Sequence, residues 1–210
     1  MKLLCISDCH GLMDYSNVLL PPADVLIHAG DFCNSGNLLD FISFSKHIKN
    51  LNYEHILLCP GNHDRCVETD FLLCKSFLSN NVHLLINGSI TLNGLHFHCC
   101  AYQPFFNNWA FNVADSNERS KLFEKIPENT NVLITHCPPA GILDKLESGE
   151  HVGDIALKAR IPMLPELKLN VFGHIHNEYG IKKTKKVTYV NASLCNERYE
   201  LTNAPIVINI

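Results

Sequence analysis

Apolar and polar positions divide the chain into short runs of strand length. They are "KLLCIS" (2–7), "DVLIHA" (24–29), "HILLCP" (55–60), "HLLI" (83–86), "LHFHCC" (95–100), "NVLITH" (131–136), "NVFG" (170–173), "VTYVNA" (187–192) and "PIVINI" (205–210). Each is rich in apolar or β-branched residues and bounded by turn residues, the pattern of a strand. Between them, "NLLDFISFSKHIKNL" (37–51) repeats apolar residues at Leu38, Phe41, Ile42, Ile48 and Leu51, which predicts a helix. Fainter helical spacing occurs at 66–79, 116–126 and 153–161. Early strands alternate with helices and late strands crowd together, so the expectation is an α/β protein with a mixed sheet or a pair of packed sheets. No repeat, low-complexity tract or linker interrupts the pattern, and residues 1–210 are expected to form a single domain.

Composition narrows the classes. With 210 residues, 46% of them hydrophobic, the chain can bury one sizeable core. Seventeen basic and 21 acidic residues give a net charge of -4, and the longest cationic stretch is "KKTKK" (182–186), which argues against an extended nucleic-acid or membrane partner. The apolar stretch after Met1 is too short for a signal-peptide core or a membrane span, so the expected location is cytoplasmic. The 10 cysteines fall mainly in apolar runs (Cys5, Cys59, Cys74, Cys99, Cys100) and none are spaced Cys-x-x-Cys. They read as reduced, buried small hydrophobes, with no zinc ribbon. Oligomeric state is left open.

The polar residues concentrate where strands end. After successive runs come Asp8-Cys9-His10, Gly30-Asp31, Gly61-Asn62-His63-Asp64, Thr135-His136 and Gly173-His174-Ile175-His176. Ligands of α/β sheets bind beyond the carboxyl ends of the strands, where these clusters would meet. In extended backbone residues i and i+2 share a face, so His174 can act with His176, and Asp8 with His10. Carboxylate, imidazole and amide oxygen suit manganese, iron or zinc. Asp8, His10, Asp31, Asn62, His136, His174 and His176 are too many ligands for one ion but fit two ions sharing a bridging carboxylate. Such a pair activates water and stabilises the oxygens of a phosphoryl displacement.

The ordered series "DCH", "GD", "GNHD", "TH" and "GHIH" resembles the signature of the calcineurin-like metallophosphoesterases. The stretches "YQPFFNNWAFNV" (102–113), "THCPPAGILD" (135–144), "HVGD" (151–154) and "VNASLCNERYELTNAPIVI" (190–208) are similar to its small branch that includes cyclic-nucleotide-type phosphodiesterases. The resemblance implies a four-layer α/β/β/α sandwich of two mixed sheets. It implies Asp8, His10, Asp31 and His176 on one metal, and Asp31, Asn62, His136 and His174 on the other, with manganese the first choice. It also implies a hydroxide shared by the ions as nucleophile, His63 as the general acid and Asp64 as its orienting partner. The expected reaction is hydrolysis of a cyclic nucleotide or similar small diester. A phosphomonoesterase, whether nucleotide or protein phosphatase, is the nearest rival, and a protein-binding scaffold on the same fold a remoter one.

Four further residues are candidates for substrate contact: Arg65 as a phosphate clamp, Trp109 with Asn108 as a wall for a nucleobase or else as core, and His151 by resemblance alone. Cys9 and Cys137 stand where a small polar residue and a glycine are expected, and alternation should turn both into packing. His96 and His98 share a strand face without a neighbouring carboxylate and read as structural.

Overall fold

The computed structural model describes residues 1–12 and 18–210. Its strands are β1 (Lys2–Ile6), β2 (Val25–His28), β3 (His55–Leu58), β4 (Val82–Leu84), β5 (Asn87–Leu92), β6 (Leu95–Cys100), β7 (Val132–Thr135), β8 (Leu169–Phe172), β9 (Gly180–Lys183), β10 (Thr188–Asn191) and β11 (Ile206–Asn209). All nine anticipated runs are present. β5 and β9 are additional, because "NGSITL" and "GIKK" carry too few apolar residues to register as buried strands. β5 is the partner that a hairpin turn supplies: Asn93 and Gly94 both take positive φ, 48° and 81°, as a two-residue turn between right-twisted strands requires.

The first sheet has the order β11-β1-β2-β3-β4 and the second β5-β6-β7-β8-β10-β9. Among the described residues, only β11, β5 and β9 run antiparallel to their neighbours. Helix α1 (Leu38–Ile48) starts at Asn37, whose side chain accepts the Asp40 N–H, and buries Phe41, Phe44 and Ile48. The helix anticipated over 66–79 is two, α2 (Arg65–Thr69) and α3 (Phe71–Ser76). Asp70 leaves helical backbone at φ -145° and caps the second by accepting the Leu73 N–H. α4 (Ser116–Phe123) and α5 (Ile155–Arg160) begin at Asp115 and Asp154, which cap them in the same way.

Alternation along β7 shows how the layers stack. Val132 and Ile134 join the core that holds Leu4, Ile27 and Leu57 of the first sheet and continues to Phe41 and Phe44 of α1. Leu133 points the other way, to Phe123 of α4 and Leu157 of α5. The order is therefore helix, sheet, sheet, helix, the expected four-layer sandwich of two mixed sheets. At one end the sheets meet through backbone: the Ser7 N–H donates to Ala192 O (2.9 Å) and the Leu194 N–H to Ser7 O (2.9 Å). No helix among the described residues is long and apolar enough to cross a membrane. All 10 cysteines are free and buried.

Candidate metal centre

The loops that leave β1, β2, β3, β7 and β8 converge where the sheets meet. Their backbone is unusual. Asp8 (φ 50°), His10 (45°), Asp31 (55°) and His174 (68°) all lie in the left-handed region, which residues with a Cβ rarely occupy outside constrained sites. Local hydrogen bonds hold them there: Asp8 N–H to Gly30 O (2.9 Å), His10 N–H to Asp31 O (2.9 Å) and His174 N–H to the Asp8 carboxylate (3.1 Å). Gly173 is needed because a Cβ there would overlap Asp8 Oδ2 and Ser7 Oγ.

Two clusters of ligand atoms, one from Asp8, His10 and His176 and one from Asp31, His136 and His174, are linked by a third of His10, Asp31 and His63, each with all its atoms within 4.8 Å of one another. Asp31 stands between them. Its Oδ2 lies 3.2 Å from His136 Nε2 and 3.8 Å from His10 Nε2. Asn62 Oδ1 is 3.0 Å from His136 Nε2, and His176 Nε2 is 3.4 Å from Asp8 Oδ1. Outer contacts fix which ring nitrogen faces inward: the His136 Nδ1–H donates to Ala29 O (2.8 Å) and the His176 Nδ1–H to Asn196 O (3.0 Å). The Ser7 hydroxyl donates to Asp8 Oδ2 (2.5 Å).

Charge in this pocket is unevenly shared. Burial opposes ionisation of Asp8 and Asp31, yet neighbouring His176 and His136 outweigh it and hold both carboxyls below their usual range. Burial likewise pushes His136 down, but Asp31 and Asp8 reverse the effect and hold it up at about 9. His10 and His174 go the other way: burial lowers them to about 4 and about 3, leaving neutral rings with a free lone pair. His10 Nδ1 is buried without a hydrogen-bond partner among the described residues. Two buried anions here keep their charge with help from N–H and O–H donors and from the neighbouring imidazoles His176 and His136. A divalent cation removes that need and takes the lone pairs, so the donor set fits metal.

The sequence matches the calcineurin-like phosphoesterase family over residues 1–178. The chain belongs to this family. It is 31% identical over 233 residues to metallophosphoesterase domain-containing protein 1 of Homo sapiens, an alignment covering 100% of this chain and 71% of the relative. It is 25% identical over 205 residues to a 3′,5′-cyclic-nucleotide phosphodiesterase of Nostoc sp., covering 91% of this chain and 70% of that one. Among solved structures, an archaeal phosphodiesterase aligns with a TM-score of 0.41 at 15% identity, over 91% of this chain and 82% of that one. As a calcineurin-like phosphoesterase the protein is a hydrolase of phosphoesters, from a family that uses divalent metals.

A cleft of about 260 Å³ opens over His10, Asp31, Asn62, His63, His174 and His176. Phe106, Leu146, Val152, Ile175 and Tyr199 form its outer wall. His63 lies within the cleft, its Nδ1–H donating to Asn34 O (2.5 Å). Asp64 is not its orienting partner. The Asp64 carboxylate turns away and accepts N–H groups of Asp31 (2.9 Å), Cys33 (2.9 Å) and Gly61 (2.7 Å), fastening the loop after β2 to the loop after β3. Burial and the charge of Asp31 push its pKa up against the Gly61 and Cys33 donors.

Trp109 is neither free wall nor core: half-buried, it stacks on His63 with ring centroids 4.0 Å apart. Asn108 is exposed and outside the cleft lining, and Arg65 lines a separate groove with Ser35, Asn37 and Thr69. His151 also lies outside the lining. Its Nδ1–H donates to buried Asp144 (2.7 Å), while its neighbour Val152 takes the wall position.

Tyr199 has no counterpart in the sequence reading. At φ 59° its ring packs edge-on against His10 (4.7 Å) and His176 (5.4 Å). Cys9 and Cys137 do turn into packing, with Cys9 Sγ against His28 Nε2 (3.3 Å) and Cys137 Sγ on Pro138 O (3.5 Å). His98 is a satisfied core histidine, bonded to Ser89 Oγ (2.8 Å) and Asn87 Oδ1 (3.0 Å).

Proposed function

We propose that residues 1–210 act as one two-metal phosphodiesterase domain whose substrates are cyclic nucleotides or similarly small diesters. The observation that carries the reading is Asp31, one carboxylate oxygen set between the two clusters of ligand atoms. In this reading Asp8, His10, Asp31 and His176 hold one ion, and Asp31, Asn62, His136 and His174 the other. Divalent ions bound there, manganese first among them, supply Lewis-acid activation of water and neutralise phosphoryl oxygens.

The remaining steps belong to the chain. His63 delivers a proton to the departing alkoxide from Nε2, its Nδ1–H staying on the Asn34 carbonyl, so the ring neither rotates nor changes tautomer during transfer. Trp109 covers one ring face and keeps water from it. The apolar wall supports the diester choice, since a second ester arm needs a surface to lie on and a bare phosphate monoester does not. The 10 free cysteines suit a reducing compartment such as the cytoplasm.

The test is a manganese-supplemented hydrolysis screen of cyclic nucleotides, bis(p-nitrophenyl) phosphate and p-nitrophenyl phosphate, with metal-stripped protein as control. Diesters should exceed the monoester in kcat/KM. Preference for the monoester would make the protein a phosphomonoesterase, and no hydrolysis with any divalent ion would favour a scaffold.

A further inference from the structure

The outer half of the cleft carries one charged side chain, Glu197, and no Lys or Arg among its described lining residues. Glu197 is exposed, and the neighbouring Glu147 carboxyl raises its pKa. Its position is set from below. The turn carrying it is closed by the Tyr199 N–H on Asn196 O (3.0 Å) and the Glu200 N–H on Asn196 Oδ1 (3.0 Å). The same Asn196 carbonyl accepts the Nδ1–H of His176, so the turn is tied directly to a candidate metal ligand. Tyr199, from the same turn, also lines the cleft.

We propose that Glu197, backed by Glu147, is a specificity-determining residue that selects phosphodiesters with a neutral or cationic second arm and turns away those bearing a further phosphate. The inference rests on the phosphodiesterase reading above. A diester brings one negative charge, whereas each additional phosphate brings nearly two more at neutral pH. With no Lys or Arg among the described lining residues to receive them, those charges meet the Glu197 carboxylate at the wall, and repulsion persists over a Debye length of about 8–10 Å. A cationic arm meets the same carboxylate as a counter-charge and can lie against the ring of Tyr199. At that range and in largely aqueous surroundings, one unit of charge is worth roughly a two- to sixfold change in binding.

The experiment uses three esters sharing a p-nitrophenolate leaving group: p-nitrophenyl phosphorylcholine, thymidine 5′-(p-nitrophenyl phosphate), and the latter carrying a 3′-phosphate. Each is assayed with manganese-loaded wild type, Glu197→Gln and Glu197→Lys. Wild type should prefer the first two. Glu197→Gln should raise kcat/KM for the 3′-phosphate ester relative to its parent by roughly two- to sixfold, Glu197→Lys by more, and both should lower the choline ester. The shifts should appear in KM with kcat unchanged, and shrink in 0.5 M salt, which a merely structural role would not produce. Substrate ratios that neither variant moves would overturn the inference alone. Failure of wild type to hydrolyse any of the three would overturn the phosphodiesterase reading, and the inference with it.

Discussion

Asp8, His10, Asp31 and Asn62, on the floor of the cleft, are at most 2% exposed, whereas Phe106 and Tyr199 on its wall are 49% and 46% exposed. Three of those four floor residues, and His174 beside them, sit on left-handed backbone that carbonyl, N–H and carboxylate partners hold in place. The wall is made by side chains reaching from loops. A floor of this kind has little freedom, since these candidate ligands depend on their neighbours' backbone. Wall side chains such as Leu146 and Val152 contribute nothing to that backbone, whereas Tyr199 and Phe106 also touch floor rings. Chemistry should therefore be lost abruptly by floor substitutions, while wall substitutions grade the choice of substrate.

The largest effect is expected at Asp31. Because it stands between both clusters, Asp31→Asn should lower kcat by more than the roughly 100-fold typical of outer contacts to a metal site. It should also reduce bound manganese below two ions per chain, read by metal analysis after saturation. If Asp8→Asn and His136→Ala each cost more than Asp31→Asn, the shared role fails and the floor is two separate sites.

Next comes His63. His63→Asn should cost on the order of 10² to 10⁴ in kcat on a cyclic nucleotide, whose alkoxide needs a proton, and far less on a p-nitrophenyl ester. Metal content should stay unchanged. His63 also forms a close group with His10 and Asp31, so an equal loss on both substrates with depleted metal would assign it to the floor as a ligand.

Trp109 tests the boundary between the two regions. Because it stacks on His63, Trp109→Ala should lower kcat about two- to tenfold on substrates with alkoxide leaving groups. KM should change little. A rise confined to the KM of nucleotides would make it a base platform and return it to the wall.

The smallest effect concerns a buried histidine outside both regions. Burial lowers His98 to about 4, from an ordinary value near 6.5. The fold therefore keeps the neutral ring, and its stability is complete above about pH 6.5 and declines as pH falls toward 4. At pH 5.5 this amounts to about 1 kcal/mol. Chemical denaturation at pH 7.5 and 5.5 should show a smaller acid loss in His98→Gln than in wild type. An unchanged difference would assign the acid sensitivity to other groups.

The floor was legible in the sequence because a ligand must be a particular residue type at a strand end, and five such ends in order leave little room for coincidence. The runs alone indicate a mixed sheet or a pair of packed sheets; the four layers come from the family resemblance. What escaped notice has no residue-type signature. Asn34 orients His63 through a main-chain carbonyl that any residue could offer. Asp64 follows His63 in the chain, yet its three N–H donors point it away. Tyr199 lies inside the family-like stretch 190–208, but only its left-handed turn, invisible in the residue type, brings the ring to the site. β5 and β9 are edge strands, and the polar residues that keep an edge from pairing with another chain also hide it from a search for apolar runs.

The proposed ligands are divided between the two sheets: Asp8, His10, Asp31 and Asn62 follow strands of the first, and His136, His174 and His176 follow strands of the second. A bound ion is then a clasp across the seam as well as a reagent. Parting the sheets must first release it, so free metal at 1,000 times its dissociation constant adds about 4 kcal/mol against opening. Proteases that attack an opened chain would find fewer openings when the ion is abundant and more when it is scarce. The amount of this protein in a cell would follow the supply of its metal, even where synthesis is constant.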